Sequence, residues 1–426
     1  MNERGEQSFA EVVAKYPDVP RLVIRKIDAG IRGVTFTQRA LESAREGNSV
    51  FQDQVTGGAS RFGPWKLGGG VFRDGTAFLG SDFTLVEPGR PDLLRGGLVP
   101  YSVDVVDGIL MLLDGDEPVE EVFLHTIPDY YGKKTTRGTP MHRILRSDPD
   151  CLKLSPHDYC QAWVERQPCM YCFSTGRMAE GQRPKSEADL EDIYEAVSEA
   201  LKEPGRWTEI HLVAGSDPGG ATPYENEANS YIPVLQTLKR CKGGQGLPVR
   251  LIASAMPEEQ LVRLREAGAT MVGPNLEVWD EKLFRWICPT KEKYFGRQYW
   301  IDSLIAGVRV FGRGNVRTQW VAGAEMAQPH GFKTMDEAVA STLDGAEFLA
   351  QRGVISTLNI LRIRQGSIFY AQRQSQPSLE YCVKLSVGIA RIRRKYRLGV
   401  AMSDYRSGTT HPDADLSRLD LPDVAA

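Results

Sequence analysis

The 426-residue sequence predicts an α/β protein, in which a smaller N-terminal α+β domain precedes a partial (β/α)6 TIM-like barrel. Two observations predict this fold. From residue 151 onward, short apolar segments alternate with amphipathic segments of helical period, as is typical of parallel strands joined by helical crossovers. Before residue 125 the pattern differs: helical spacing extends to about residue 45, and short alternating runs broken by Gly and Asp-Gly turns follow.

The barrel is predicted to contain about six β/α units, fewer than the eight that close a complete barrel. The predicted strands are residues 151–157, 207–216, 248–256, 270–278, 315–323 and 354–363. The predicted helices are residues 186–203, 223–240, 257–268, 295–311, 334–353 and 377–398. Ser186 is a suitable N-cap, and Pro257 and Gly268 mark the two ends of another helix. In such barrels the functional groups lie at the carboxyl ends of the strands.

Changes of sequence pattern divide the chain into three parts. These are an N-terminal helical and then β-rich domain at 1–125, the barrel at 126–376, and a C-terminal helix with a polar tail at 377–426. Basic and acidic residues nearly balance, 52 against 55, which gives no indication of binding to nucleic acid or to membranes. The chain shows no membrane-spanning apolar run and no signal peptide, so we expect a cytoplasmic protein with reduced cysteines. The sequence does not indicate the oligomeric state.

Three of the seven cysteines, Cys160, Cys169 and Cys172, lie within thirteen residues after the first predicted barrel strand. Three thiolates from one loop suit a soft metal or an iron–sulfur cluster. Three ligands would leave one iron of a cubane free for an outside ligand, whereas four would close it. Two alternatives stay open: a redox pair formed by Cys169 and Cys172, and a structural zinc site completed by His157. The remaining cysteines show no ligand spacing and are expected to be buried or incidental: Cys151, Cys241, Cys288 and Cys382.

A cysteine loop at this place in a six-unit barrel resembles the radical SAM superfamily, and most closely its biotin-synthase-related branch. Most of that superfamily has the spacing C-x3-C-x2-C, whereas this chain has C-x8-C-x2-C. A biotin-synthase-related subgroup, which includes a family found beside nitrilase genes, has a similarly long spacing. The preceding segment PDYYGKKTTRGTPMHRIL also resembles that subgroup. The resemblance covers roughly residues 125–370.

The resemblance implies an oxygen-sensitive enzyme with a [4Fe–4S] cluster on Cys160, Cys169 and Cys172 and with S-adenosylmethionine (SAM) as its second cofactor. It implies that an electron from a flavodoxin- or ferredoxin-type donor cleaves SAM to a 5′-deoxyadenosyl radical, which abstracts hydrogen from a small-molecule substrate. A zinc-stabilised β/α binding protein without redox chemistry is one alternative, and a sulfur-inserting synthase of the biotin or lipoyl type is another. No catalytic residue, substrate or product is indicated.

The resemblance also implies a set of SAM contacts at the strand ends. Asn275 and Glu277 match an Asn-Leu-acid element that binds the ribose hydroxyls. Arg297, in a Tyr-x-x-Arg sequence, would hold the methionine carboxylate through its two-pronged guanidinium, and Lys291 is the second candidate for that role. The other implied contacts are Gly215 and Ser216 near the SAM ammonium, and Gly323 and Tyr171 near the adenine.

Polar residues on the fifth and sixth strands are candidates for the lumen of the barrel: Arg317, Gln319, Trp320, Asn359, Arg362 and Arg364. Arginines in that position would suit an anionic substrate, because a guanidinium pairs well with carboxylate and phosphate groups. Ion pairs on the outer face of the barrel would explain the same arginines equally well.

Overall fold

The computed structural model describes residues 7–47, 50–52, 61–67, 70–72, 78–79, 97–124, 126–148, 151–173, 185–241, 246–398 and 416. The strands are β1 (Val34–Phe36), β2 (Val50–Gln52), β3 (Arg61–Leu67), β4 (Gly70–Phe72), β5 (Phe78–Leu79), β6 (Tyr101–Val106), β7 (Ile109–Asp114), β8 (Glu117–Leu124), β9 (Arg146–Asp148), β10 (Cys151–Leu154), β11 (Glu209–Val213), β12 (Val249–Ile252), β13 (Met271–Val272), β14 (Arg317–Ala322) and β15 (Ile355–Ile360). The helices are α1 (Phe9–Lys15), α2 (Arg21–Arg32), α3 (Gln38–Glu46), α4 (Met141–Ile144), α5 (Gln161–Val164), α6 (Glu187–Ala200), α7 (Glu225–Arg240), α8 (Glu258–Ala267), α9 (Glu281–Ile287), α10 (Pro289–Tyr294), α11 (Gly296–Phe311), α12 (Met335–Gln351), α13 (Ile368–Ala371) and α14 (Leu379–Lys395).

The strands β10 to β15 form a series in which each strand lies beside the preceding one. β10, β11, β12 and β13 pair in parallel, and so do β14 and β15. A parallel bridge between Val272 and Val316 joins the two groups. The predicted α/β fold with six parallel strands is therefore confirmed, and the strands follow the order of a barrel. In addition, β9 pairs antiparallel with β10.

Contacts with helix α11 show which face of the parallel sheet is covered by helices. A Cβ atom on Gly307 of α11 would lie 3.2 Å from Val316 and 3.5 Å from Val272, so both valines face the helices. Because side chains alternate along a strand, Arg317 lies on the opposite face, which we call the inner face. Trp320, four residues after Val316, faces the helices. The expectation that Trp320 lines the lumen is therefore wrong.

The register between neighbouring strands shows which other residues lie on the inner face. Met271 precedes Val272 and so lies on the inner face, and it is the register partner of Arg250. Arg250 is the partner of His211, which in turn is the partner of Lys153. Register partners in a sheet share a face. Lys153, His211 and Arg250 therefore lie side by side on the inner face.

The predicted helices occur close to their expected bounds. Ser186 caps α6 as expected: its hydroxyl accepts the backbone N–H of Asp189, and the Asp189 carboxylate accepts the N–H of Ser186. The short helices α9 and α10 lie in a segment for which no helix was predicted. Within the described part of the chain, no helix combines the length and the apolar character needed to cross a membrane.

The N-terminal part forms a separate six-stranded sheet with the order β1-β6-β7-β8-β4-β5. β1 and β6 are parallel, and the remaining pairs are antiparallel. Helix α2 packs against α14 and β15, where a Cβ atom on Gly30 would lie 3.1 Å from Ile360. The mixture of helices and strands agrees with the expected α+β character, and the domain bounds stay predictions.

Candidate functional site

The cysteine loop leads from β10 through α5 to Cys172. Cys160 is the N-cap residue of α5, and the backbone N–H of the next residue, Gln161, donates to the carbonyl of Ser216 at 2.7 Å. A tight turn follows, in which the N–H of Cys172 donates to the carbonyl of Cys169 at 2.8 Å. All three cysteines are half-buried, free thiols. The loop is thus anchored to the turn after β11, the second strand of the barrel.

The part of the cysteine loop around Gln167 and Met170 is hydrogen-bonded to segments from two other parts of the barrel. The N–H of Met170 donates to the carbonyl of Ile287, and the N–H of Phe369 donates to the carbonyl of Met170, both at 2.9 Å. The hydroxyl of Thr290 donates to the carbonyl of Gln167 at 2.7 Å. The cysteines therefore lie where the carboxyl ends of several strands meet, which is the expected place for chemistry in a β/α barrel.

Neighbouring groups affect the ionisation of two of these thiols. A hydrogen bond from the Cys288 thiol lowers the pKa of Cys169, burial opposes this, and the charge of Lys291 lowers it further. Burial raises the pKa of Cys160, and a backbone hydrogen bond from Ser216 partly offsets that rise. Cysteines bind metals as thiolates. Cys288 and Lys291 therefore favour the metal-binding thiolate of Cys169, whereas burial favours the neutral thiol of Cys160.

Asn275, Glu277 and Lys291 form a polar group beside these cysteines. The Lys291 ammonium donates to the Asn275 carbonyl and to the Glu277 carboxylate, both at 2.8 Å. Burial by itself would lower the pKa of Lys291, but the charge of Glu277 and the nearby thiols Cys169 and Cys288 raise it above its ordinary value. Lys291 is therefore a firmly charged cation next to the cysteine loop.

The backbone of Glu277 is in an unusual conformation. Its φ angle is 74°, in the left-handed region that a side chain other than glycine rarely adopts. Its N–H donates to the carbonyl of Gln319 at 3.0 Å, and its carbonyl accepts the N–H of Val321 at 2.8 Å. Such a conformation costs roughly 1–3 kcal/mol and is concentrated at functional sites. The observation favours a functional role for the Glu277 side chain.

The side chain of Gln319 connects the ends of three strands on the inner face. Its carbonyl oxygen accepts the amide N–H groups of Asn275, at 3.2 Å, and Asn359, at 3.0 Å. Because that oxygen must face two donors, it fixes which way the Asn275 amide points. The sequence-based expectation that Gln319 and Asn359 face the lumen agrees with this contact.

Tyr171 shares the surroundings of the same group. Burial raises its pKa well above the ordinary value, and the charges of Cys169 and Glu277 raise it further. The structure therefore brings together most of the predicted site residues: the cysteine loop with Tyr171, the turn at Ser216, and the group formed by Asn275, Glu277 and Lys291.

Arg297 and Gly323 have other contacts. The Arg297 Nε donates to the carbonyl of Trp279 at 2.6 Å, and its guanidinium carbon lies 4.1 Å from the centre of that indole ring. Gly323 has φ 105°, and a Cβ atom there would lie 2.8 Å from Pro377. Each of these residues thus has a structural role of its own, and their predicted SAM contacts stay predictions.

The turn at Gly215 and Ser216 is also partly engaged. The Ser216 carbonyl accepts Gln161, and its hydroxyl lies 2.9 Å from that of Ser254. Glu227 stabilises this turn through two hydrogen bonds. Its two carboxylate oxygens accept the N–H groups of Asp217 and Ser254 at 3.0 and 2.8 Å. The predicted contact between this turn and the SAM ammonium stays a prediction.

A structural zinc site would require Cys160, Cys169, Cys172 and His157 to surround one ion. A zinc ion bound by all three cysteines would hold their sulfur atoms about 3.8 Å apart, because tetrahedral Zn–S bonds are about 2.3 Å long. In the described chain these three sulfur atoms do not all lie within 4.8 Å of one another. His157, the expected fourth ligand, is buried edge-on against Tyr231, and burial lowers its pKa to about 4. In the described residues, the three cysteines and His157 therefore do not form a preformed site for a single metal ion.

Comparisons with known proteins give distant matches. No protein-family model matches the chain. A curated relative, the bacteriochlorophyllide c C-7(1)-hydroxylase of Chlorobaculum limnaeum, is 24% identical over 155 residues, which are 36% of this chain and 35% of the hydroxylase. Among solved structures, methylornithine synthase (PylB) has 13% identity and a TM-score of 0.40, with 63% of this chain and 78% of that chain covered. A radical SAM methyltransferase from Sphaerobacter thermophilus has 14% identity and a TM-score of 0.40, with 71% and 77% covered. The chain is similar to radical SAM enzymes.

This likeness is to the superfamily that the cysteine motif resembles. It does not test the long spacing between the first two cysteines or the individual SAM contacts. At these identities and TM-scores, the case for radical SAM chemistry in this chain rests on its own residues.

Two features of the site were missed at the sequence level. Cys288, which contacts Cys169, is 119 positions away in the sequence and has no ligand spacing, so no local pattern could reveal it. Cys151, Glu209 and His211 form a buried group with their ligand atoms all within 4.8 Å of one another. Only the register of β10 with β11 brings these three residues together.

Proposed function

We propose that the chain is a radical SAM enzyme in which Cys160, Cys169 and Cys172 hold a [4Fe–4S] cluster. The observation that carries the proposal is the convergence at one end of six parallel strands. There the cysteine loop is anchored to Ser216 after the second strand, and Cys169 lies near the polar group that follows the fourth. When bound, the cluster and SAM supply a 5′-deoxyadenosyl radical that abstracts hydrogen from a small-molecule substrate.

The residues of the chain would place SAM. Asn275 and Glu277 offer oxygen acceptors that suit the two hydroxyls of a ribose. Gln319 fixes the orientation of the Asn275 amide. Tyr171 provides a half-buried aromatic ring beside the same group, where a base could stack. Glu277 is buried and Asn275 and Tyr171 are half-buried, and hydrogen bonds that are shielded from the solvent are stronger than those in water.

Lys291 is favoured over Arg297 as the cation that receives the methionine carboxylate of SAM. Its charge lies close enough to Cys169 to lower the pKa of that thiol, whereas the Arg297 guanidinium is stacked on Trp279. The methionine end of SAM must approach the iron that the three cysteines leave free. A cation beside Cys169 is in the right region to hold it.

The electron required for cleavage would come from a flavodoxin- or ferredoxin-type protein, because the chain supplies only one set of clustered cysteines. A sulfur-inserting synthase would need a further sulfur source in the barrel. The described residues place Cys151 on the inner face, next to Glu209 and His211, but no second group of cysteines accompanies it.

The test is anaerobic reconstitution of the full chain with iron and sulfide, followed by incubation with SAM and dithionite. We expect 5′-deoxyadenosine by mass spectrometry, and none from Cys172→Ala treated identically. The iron-loaded protein should absorb in the visible range, whereas a zinc protein would be colourless. A reconstituted wild-type protein that carries iron but forms no 5′-deoxyadenosine would contradict the proposal.

A further inference from the structure

Basic side chains form a row on the inner face, apart from the residues of the proposed cofactor site. Lys153, His211 and Arg250 are register partners on adjacent strands, and Arg317 lies on the same face of the next strands. His211 is 4% exposed, and Arg250 and Arg317 are each 5% exposed. The Glu209 carboxylate, two residues before His211 on the same strand, is hydrogen-bonded to the His211 ring. Buried charge of one sign is costly unless it is compensated.

Arg250 is the most informative of these residues. Its Nε atom is buried without a hydrogen-bond partner, and Arg250 forms no ion pair with any residue in the described part of the chain. Folding around a guanidinium of this kind is unfavourable, because the charge loses most of its water and gains no counter-ion. We therefore expect that a bound molecule supplies the negatively charged group that pairs with Arg250.

His211 provides a complementary atom beside Arg250. Its Nε2 is hydrogen-bonded to the Glu209 carboxylate, which assigns the proton to Nε2 and leaves Nδ1 as an acceptor. This Nδ1 atom is buried without a hydrogen-bond partner. Burial and the charge of Arg250 lower the pKa of His211 to about 3, so the ring is neutral. The Arg250 Nε, a cationic donor, and the His211 Nδ1, a neutral acceptor, therefore lie on neighbouring residues of the sheet. Neither atom has a hydrogen-bond partner in the described residues.

We propose that Arg250 binds an oxyanion group of the substrate, a carboxylate or a phosphate, with His211 accepting a hydrogen bond from a neighbouring N–H or O–H of the same molecule. This assignment rests on the proposed function, which places SAM cleavage at the carboxyl ends of the same strands. Arg317 lies on the inner face between Arg250 and the layer of Gln319 and Asn275, as strand register shows. A substrate whose anionic group binds Arg250 would therefore extend past Arg317 toward the residues that we propose to bind SAM.

A metal ion on Cys151, Glu209 and His211 is the competing explanation, since their ligand atoms lie within 4.8 Å of one another. The charges of the surroundings disfavour it. Arg250 and Lys153 both act on His211 electrostatically, and a divalent cation bound there would be repelled by both. An anion would be attracted by the same two side chains.

The experiment measures anion binding by the reconstituted full chain without SAM or reductant. Inorganic phosphate and acetate are the two probes, added at constant ionic strength against chloride, and the readout is the shift of the thermal unfolding midpoint with concentration. We expect a saturable rise for the wild type with at least one probe; the responsive probe distinguishes phosphate from carboxylate. Arg250→Met should lower the apparent affinity by at least about tenfold.

Arg309→Met is the matched control, because it removes the same charge from an exposed arginine that pairs with Glu258 on the surface. It should respond to the probes as the wild type does. Without probe, Arg250→Met should unfold at the same temperature as the wild type or higher, because a buried uncompensated charge has been removed.

Three results would overturn the proposal. They are an absent wild-type response, an equal response of Arg250→Met, and stoichiometric zinc that is retained after cluster removal and lost in Cys151→Ser. Because the assay contains neither SAM nor reductant, a failure of SAM cleavage would leave anion binding intact. Loss of anion binding would in turn leave uncoupled SAM cleavage measurable, so failures of the two proposals are distinguishable.

Discussion

The ammonium group of Lys291 lies 2.8 Å from the carboxylate of Glu277, in a pair whose side chains are 15% and 10% exposed. A pair this far from water is held in place by both partners, because each charge would be costly alone. The pair joins α10 to the segment after β13, and its electrostatic influence reaches Cys169. It therefore connects the predicted SAM-binding element to the predicted cluster loop.

The first prediction concerns the stability of this pair. Lys291→Met leaves the Glu277 carboxylate buried without its cation, which should cost about 3–5 kcal/mol of unfolding free energy. The double variant Lys291→Met with Glu277→Gln removes both charges and should recover most of that loss. Urea unfolding of the cluster-free full chain measures both values, and the double-mutant cycle gives the coupling energy. If the double variant is no more stable than Lys291→Met, the two side chains do not act as a pair.

The second prediction concerns which residues bind SAM. Glu277→Gln removes a charged acceptor from a largely dry site while keeping its shape. Loss of a charge-assisted hydrogen bond costs roughly 1.5–3 kcal/mol, so SAM affinity should fall by about 10- to 150-fold. Arg297→Met should change SAM affinity by less than about threefold, because the Arg297 guanidinium is stacked on Trp279.

Calorimetry on reconstituted protein measures both affinities, and iron content should equal that of the wild type in each variant. The opposite ranking, with Arg297→Met the weaker binder and Glu277→Gln unaffected, would restore Arg297 to the role that the sequence first gave it.

The third prediction concerns the cluster ligands. Cys160→Ala, Cys169→Ala and Cys172→Ala should each lose the cluster, since two thiolates do not hold a cubane in place. Cys288→Ala is the most demanding control, because Cys288 contacts Cys169 without belonging to the proposed ligand set. It should retain iron near the wild-type level, as should Cys382→Ala. Iron loss in Cys288→Ala as complete as in Cys169→Ala would mean that the ligand assignment is wrong.

The sequence predicted the elements that depend on local pattern. Ser186 capped its helix as expected, and six strands with alternating helices were found in the expected order. The cysteine loop could be found because its three ligands lie within thirteen residues. In all these cases the signal is contained in a short window of sequence.

What could not be predicted depends on contacts between distant segments. The unpartnered Arg250 and its neighbour His211 lie on different strands, and their pairing is a matter of register. The preference for Lys291 over Arg297 depends on where a side chain is directed after α9 and α10, two short helices without a long periodic pattern. Side-chain direction and register are set by tertiary packing, which a single sequence does not display.

The fourth prediction separates two reasons for a glycine at position 323. Gly323→Ala places a Cβ atom 2.8 Å from Pro377 in a residue with φ 105°, so it combines backbone strain with a steric clash. Gly366→Ala is a matched control, since φ is 93° there and nothing lies within 4 Å of the added atom. Strain alone should cost about 1–2 kcal/mol in the control, and overpacking should add about 1–3 kcal/mol at Gly323. Urea unfolding measures the difference. Equal losses in the two variants would show that the contact with Pro377 is not the reason for the glycine.

The fifth prediction concerns the pH dependence of stability at Glu227. This carboxylate is fully buried, and burial raises its pKa to about 7, although the N–H groups of Ser254 and Asp217 partly oppose the rise. An acid whose pKa is higher in the folded than in the unfolded chain binds an extra proton on folding in the interval between the two values. Its contribution to stability is therefore fully present below about pH 4.5 and is lost as the pH rises to about 7.

Glu227→Gln cannot ionise, so the difference in unfolding free energy between the wild type and this variant isolates the titration of Glu227 from that of other groups. Because the Glu227 pKa rises from 4.5 to about 7 on folding, this difference should change by roughly 3 kcal/mol between pH 4.5 and 7.5, with the wild type losing stability relative to the variant. Urea unfolding of the cluster-free chain at several pH values gives the curve. A difference that is flat over this interval would mean that Glu227 titrates below it, and that its two backbone hydrogen bonds stabilise the ionised carboxylate more strongly than burial destabilises it.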